Sequence, residues 1–133
     1  MTRVLIVEDD SSVGAAIRRM LNREGYDVVY APDANFAIRA FESSNFDLAI
    51  VDIFMPGVNG LRTIAIFRQR APTVPVIAMS GFKFRDSMKP DLDVLTLAAE
   101  AGAAVCLRKP FAPQQLIAAV HASLDLVPAP LAT

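Results

Sequence analysis

Five short apolar runs recur along the chain, each followed by a stretch of helical periodicity. They are Val4-Leu5-Ile6-Val7, Tyr26 to Ala31, Asp47 to Val51, Pro75 to Met79 and Ala103 to Arg108. Runs this short and this apolar read as strands covered on both faces. After the first, Val13, Ile17, Met20 and Leu21 fall at helical spacing, with Asp10 or a following serine as cap and Gly25 as stop. Pro32 or Asp33 opens a second helix through Ala37, Ile38 and Phe41. Further helices are expected from about Asn59 to Arg70, from about Asp91 to Ala101, and from Pro113 to about Leu126. Consecutive βα units predict a parallel sheet with helices on both faces. Right-handed crossovers and a length of 133 residues select an α/β fold, a flavodoxin-like (βα)5 doubly wound sandwich. Its five-stranded parallel sheet should run in the order 2-1-3-4-5. One domain is expected over residues 1–126, with a loose Pro/Ala-rich tail at 127–133.

Composition removes several classes of function. The chain is 53% hydrophobic and 20% charged, which suits a packed core and not disorder. The net charge of -1 and the lack of a basic stripe argue against a nucleic-acid partner. No apolar run reaches the roughly 18 residues of a membrane span, and Met1-Thr2-Arg3-Val4 leads straight into a strand without a signal-peptide pattern. A single cysteine, Cys106, rules out an intrachain disulfide and metal-finger spacing. A cytoplasmic location, with no membrane partner, is the expectation.

The strand ends carry the chemistry. The apolar run Leu48 to Val51 ends in Asp52, and Met55-Pro56-Gly57 then breaks the strand, with Asn59 as the cap of the next helix. In open α/β sheets the carboxyl edge of the strands is where ligands bind. On that edge strand 1 places Glu8 and Asp9, strand 3 Asp52, strand 4 Ser80 and strand 5 Lys109. Three carboxylates brought together repel one another and call for a cation, and an all-oxygen set favours a hard ion such as Mg²⁺. A hydroxyl and an ammonium opposite them suit an anion. Together these groups describe phosphoryl transfer to an aspartate.

These motifs, in this order, resemble the receiver domain of bacterial two-component response regulators, of the stand-alone, single-domain type. The resemblance rests on Glu8-Asp9, on Asp52 within Val51-Asp52-Ile53-Phe54-Met55-Pro56-Gly57, on Ser80-Gly81 and on Lys109-Pro110-Phe111, and it covers nearly the whole chain. It implies that Asp52 is the phosphoacceptor. It implies a Mg²⁺ site formed by Glu8 (through water), Asp9, Asp52 and the backbone carbonyl of Phe54. Ser80 and Lys109 would bind the phosphoryl group, and the Lys109-Pro110 bond would be cis. The implied partners are a histidine kinase or histidine phosphotransfer protein and a target protein met through helix 4, strand 5 and helix 5, with room for a homodimer. A self-phosphorylating switch is implied, not a turnover enzyme on external substrates.

The chain departs from the family at several positions. Cys106 stands where a Tyr or Phe usually acts as a switch, so the conformational change is expected in the longer connection from Phe82 to Pro90 and in helix 4. Ala112 replaces the usual capping hydroxyl of helix 5. Phe54 and Phe82 occupy the positions that flank the approach of a hydrolytic water, which predicts slow self-dephosphorylation. Because helix 5 is expected to run almost to the last residues, the expectation is a receiver without an output domain of its own. Cys106 otherwise reads as a small buried hydrophobe, His121 as a surface or half-buried helix residue, and the helix around Leu92 to Ala99, apolar on more than one side, as deeply buried or, in preference, as a partner-binding face.

The same residues bear on three rival functions. A phosphatase of the haloacid dehalogenase type needs a second Asp two residues after the nucleophile, where this chain has Phe54. A flavin phosphate would be repelled by Glu8, Asp9 and Asp10. A pseudo-receiver that binds protein without switching is the alternative kept.

Overall fold

The computed structural model describes residues 1–55, 58–81 and 94–125. The strands are β1 (Arg3–Val7), β2 (Asp27–Ala31), β3 (Leu48–Asp52), β4 (Phe54–Met55), β5 (Val58–Asn59), β6 (Val76–Ser80) and β7 (Val105–Arg108). The helices are α1 (Ser11–Arg23), α2 (Ala34–Ser43), α3 (Gly60–Arg70), α4 (Val94–Ala101) and α5 (Pro113–Asp125). The main sheet is parallel and runs β2-β1-β3-β6-β7, which is the order 2-1-3-4-5 when its own strands are counted.

Side chains on a strand alternate between faces, and that alternation sorts the core into two layers. Leu5, Val7, Ala49, Val51, Val76 and Ala78 pack with Ala37 of α2, Ile64 and Phe67 of α3 and Ala98 of α4. Val4, Ile6, Leu48, Ile50, Ile77 and Met79 pack with Ile17 and Leu21 of α1 and Leu116 and Val120 of α5. The helix ends follow local chemistry. Asp10 caps α1, accepting from the backbone N–H of Ser12 at 2.9 Å and of Val13 at 3.3 Å. Asp33 caps α2 by accepting from Phe36 at 2.8 Å. Gly25 ends α1 with a φ of 90°, a conformation that favours glycine. Ala112 has no capping oxygen, but its N–H donates to Oε1 of Gln115 at 2.7 Å, the return half of a capping box.

One feature was not expected: Phe54-Met55 and Val58-Asn59 pair as a short antiparallel ribbon, and α3 then opens at Gly60, immediately after Asn59. Gly60 lies so close to the chain after β3 that a Cβ there would come 2.3 Å from the Ile53 Cα. The expected connection from Phe82 to Pro90, the helix start at Asp91 and the tail at 127–133 lie outside the described residues.

Candidate phosphoryl-acceptor and cation site

The alternation that builds the core also assembles the site. Glu8 continues the phase of Val4 and Ile6, Asp52 that of Leu48 and Ile50, and Lys109 that of Val105 and Leu107. All three phases belong to the α1/α5 face. The register pairs Val7 with Val51, which brings Glu8 level with Asp52. Lys109 is brought alongside because its N–H donates to the Ser80 carbonyl at 2.8 Å, one step past the Ser80–Arg108 pair. The Lys109-Pro110 bond is cis.

The result is a compact charged cluster. The Lys109 Nζ donates to Oε2 of Glu8 at 2.5 Å and to Oδ2 of Asp52 at 3.1 Å. Glu8 and Asp52 are buried, whereas Asp9 is exposed. One carboxylate oxygen from each of Glu8, Asp9 and Asp52 lies within 4.8 Å of the others. Burial pushes the Glu8 carboxyl up to about 7, with the Asp52 charge adding to the shift and the Lys109 hydrogen bond opposing it. Burial alone would lower Lys109, but its contacts with Glu8 and Asp52 win and hold it above the ordinary lysine value.

This donor set fits a hard divalent cation. It is all oxygen, it carries more negative charge than one lysine neutralises, and its exposed member leaves an open side. Glu8, Asp9 and Asp52 would hold such an ion. Phe54, the fourth expected ligand, lies in β4, two residues past Asp52, and would offer its backbone carbonyl.

Ser80 and Cys106 follow the other phase of the sheet. Ser80 is buried and continues Val76 and Ala78, and Cys106 pairs with Ala78 and packs half-buried against the α2/α3/α4 layer. His121 is exposed on α5. Phe82 lies outside the described residues. Sequence reasoning missed Tyr30, whose hydroxyl donates to the Glu8 carbonyl at 2.6 Å. The one available signal was Gly14, a glycine inside a helical pattern that calls for a packing reason.

Residues 4–121 match the response regulator receiver domain family. The chain therefore belongs to the receiver domains of two-component response regulators. It is 31% identical over 122 residues to the DNA-binding response regulator MtrA of Mycolicibacterium paratuberculosis, covering 92% of this chain and 51% of that protein. It is 35% identical over 123 residues to the transcriptional regulatory protein CseB of Streptomyces avermitilis, covering 92% and 49%. The chain thus spans about half the length of these curated relatives. Among solved structures, a CheY-like receiver domain protein of Methanospirillum hungatei matches with a TM-score of 0.83 at 27% identity, over 94% of both chains. Among the described residues, no helix is long and apolar enough to cross a membrane.

Proposed function

We propose that Asp52 accepts a phosphoryl group from a phosphohistidine of a kinase or phosphotransfer protein, with Mg²⁺ as cofactor, and that the modified receiver changes its affinity for a partner protein. The observation that carries this reading is the single cluster of Glu8, Asp9, Asp52 and Lys109 at the carboxyl edge of the sheet. An Asp52 oxygen forms the new O–P bond as the P–N bond of the donor breaks, and the imidazole departs with the electron pair. Bound Mg²⁺ would supply charge neutralisation for the phosphoryl oxygens. Lys109, already inside the cluster, holds one phosphoryl oxygen by a charge-assisted hydrogen bond. Ser80, at the end of the neighbouring strand, donates its hydroxyl to another.

The protein acts as a switch and not as a turnover enzyme, because the product is a modified side chain. Its target face is the surface of α4, β7 and α5. Incubation with acetyl phosphate tests the reading. Labelling should require Mg²⁺ and vanish in Asp52→Asn. No labelling of the wild type would instead favour a pseudo-receiver that binds protein without phosphorylation.

A further inference from the structure

A tyrosine outside the charged cluster grips the loop that carries two of its carboxylates. Tyr30 shares the phase of Val28 on β2 and packs into the α1/α5 layer. Its hydroxyl donates to the Glu8 carbonyl at 2.6 Å. That carbonyl belongs to the peptide joining Glu8 to Asp9, and a peptide unit is planar. Fixing the direction of its C=O therefore fixes the N–H of Asp9 and the plane from which Asp9 leaves the strand. On the other side of Glu8, its own N–H donates to the Ala31 carbonyl at 3.1 Å. The last two residues of β2 thus hold the Glu8 backbone from both ends.

The ring reaches this position because α1 leaves room for it. A Cβ on residue 14 would lie 2.4 Å from the Tyr30 Cε1 and 2.8 Å from its Cζ. Glycine is disfavoured inside helices, yet Gly14 is buried in the first turns of α1, under the ring. Any side chain there would push the ring, and with it the hydroxyl, away from the Glu8 carbonyl.

We infer that Tyr30, seated over Gly14, is a positioning residue that orients the Glu8-Asp9 peptide and thereby sets the affinity of the cation site. This rests on the cation site proposed above. Tyr30→Phe keeps the ring and removes only the hydroxyl, so the fold survives. Gly14→Ala keeps the hydroxyl and displaces the ring. Phe67→Leu, in the opposite core layer, serves as a control that loosens the fold without touching the loop.

The measurement is a titration of each isotope-labelled protein with MgCl₂, followed by amide chemical shifts. Tyr30→Phe should raise the Mg²⁺ Kd about threefold to tenfold, the range expected for one hydrogen bond. Gly14→Ala should move it in the same direction, and Phe67→Leu should lower the melting temperature with the Kd unchanged. A wild-type Kd in Tyr30→Phe overturns the inference while leaving the cation site intact. So does an equal rise in Phe67→Leu, which would mean that general loosening is enough. A wild-type protein that shows no Mg²⁺-dependent shifts overturns the cation site itself.

Discussion

Lys109 is held more closely by Glu8, at 2.5 Å, than by Asp52, at 3.1 Å. Lys109, just past β7, thus serves as the counter-ion of a carboxylate just past β1, with β3 and β6 lying between those two strands. In the function proposed above, a divalent cation would take over that charge and leave Lys109 available to a phosphoryl group on Asp52. Removing one member of a largely buried ion cluster leaves the others uncompensated. Lys109→Ala should therefore lose about 2 to 3 kcal/mol in urea unfolding without metal, and saturating Mg²⁺ should recover much of that loss. Equal losses with and without Mg²⁺ would show that lysine and cation do not neutralise the same charge.

The raised Glu8 carboxyl should make the affinity of the proposed cation site depend on pH near neutrality. Its folded value is about 7 against an ordinary 4.5, so the metal-free folded state holds a proton that the unfolded chain has lost between these limits. The sign follows: this group's contribution to stability is complete below about pH 4.5 and is lost as pH rises through 7. A cation must displace the same proton, so Mg²⁺ affinity should fall as pH drops below 7. Calorimetry at pH 7 in buffers of different ionisation enthalpy should detect fractional proton release, and Glu8→Gln should abolish it.

Gly60 shapes the chain just after the acceptor. A Cβ at this position would press on the Ile53 backbone, one residue past Asp52. Backbone yields less readily than a side-chain tip, and overpacking of this kind costs about 1–3 kcal/mol. Gly60→Ala should lose stability in that range and label more slowly with acetyl phosphate. Wild-type behaviour in both assays would mean that the turn adapts freely.

The lifetime of a phosphoryl group on Asp52 should depend on residue chemistry at positions 54 and 82, which the family resemblance assigns to the approach of a hydrolytic water. An aromatic ring has no group to orient a hydrolytic water, so a chain with Phe54 and Phe82 there should hold its phosphoryl group for long. Replacing Phe54 by Asn and Phe82 by Glu should speed decay clearly in a phosphoryl-release assay. Equal rates in both proteins would remove this role from the two residues.

Much of this architecture was legible in the residue order. Short continuous apolar runs, buried on both faces, set the central strands, and the alternation of side chains along a strand places Glu8, Asp52 and Lys109 on one face. Asp10 and Asp33 announced their helices because a short side-chain oxygen before an apolar periodicity has one favourable use. The ribbon of β4 and β5 was not legible, since two-residue strands have no periodicity to read. The Tyr30 contact to Glu8 was missed for another reason: it spans 22 residues and depends on a notch in a helix that only packing reveals. Nor could the site's electrostatics be read from the residues, because the shift of Glu8 comes from burial first.

The proposed function requires that Asp52, and neither of its acidic neighbours, forms the acyl phosphate. Borohydride trapping after incubation with acetyl phosphate and Mg²⁺, followed by peptide mass mapping, distinguishes the three carboxylates. The prediction is a single reduced residue, at Asp52, that disappears when the cation is chelated. Reduction at Glu8 or Asp9 in place of Asp52, or equal trapping without a divalent cation, would contradict it.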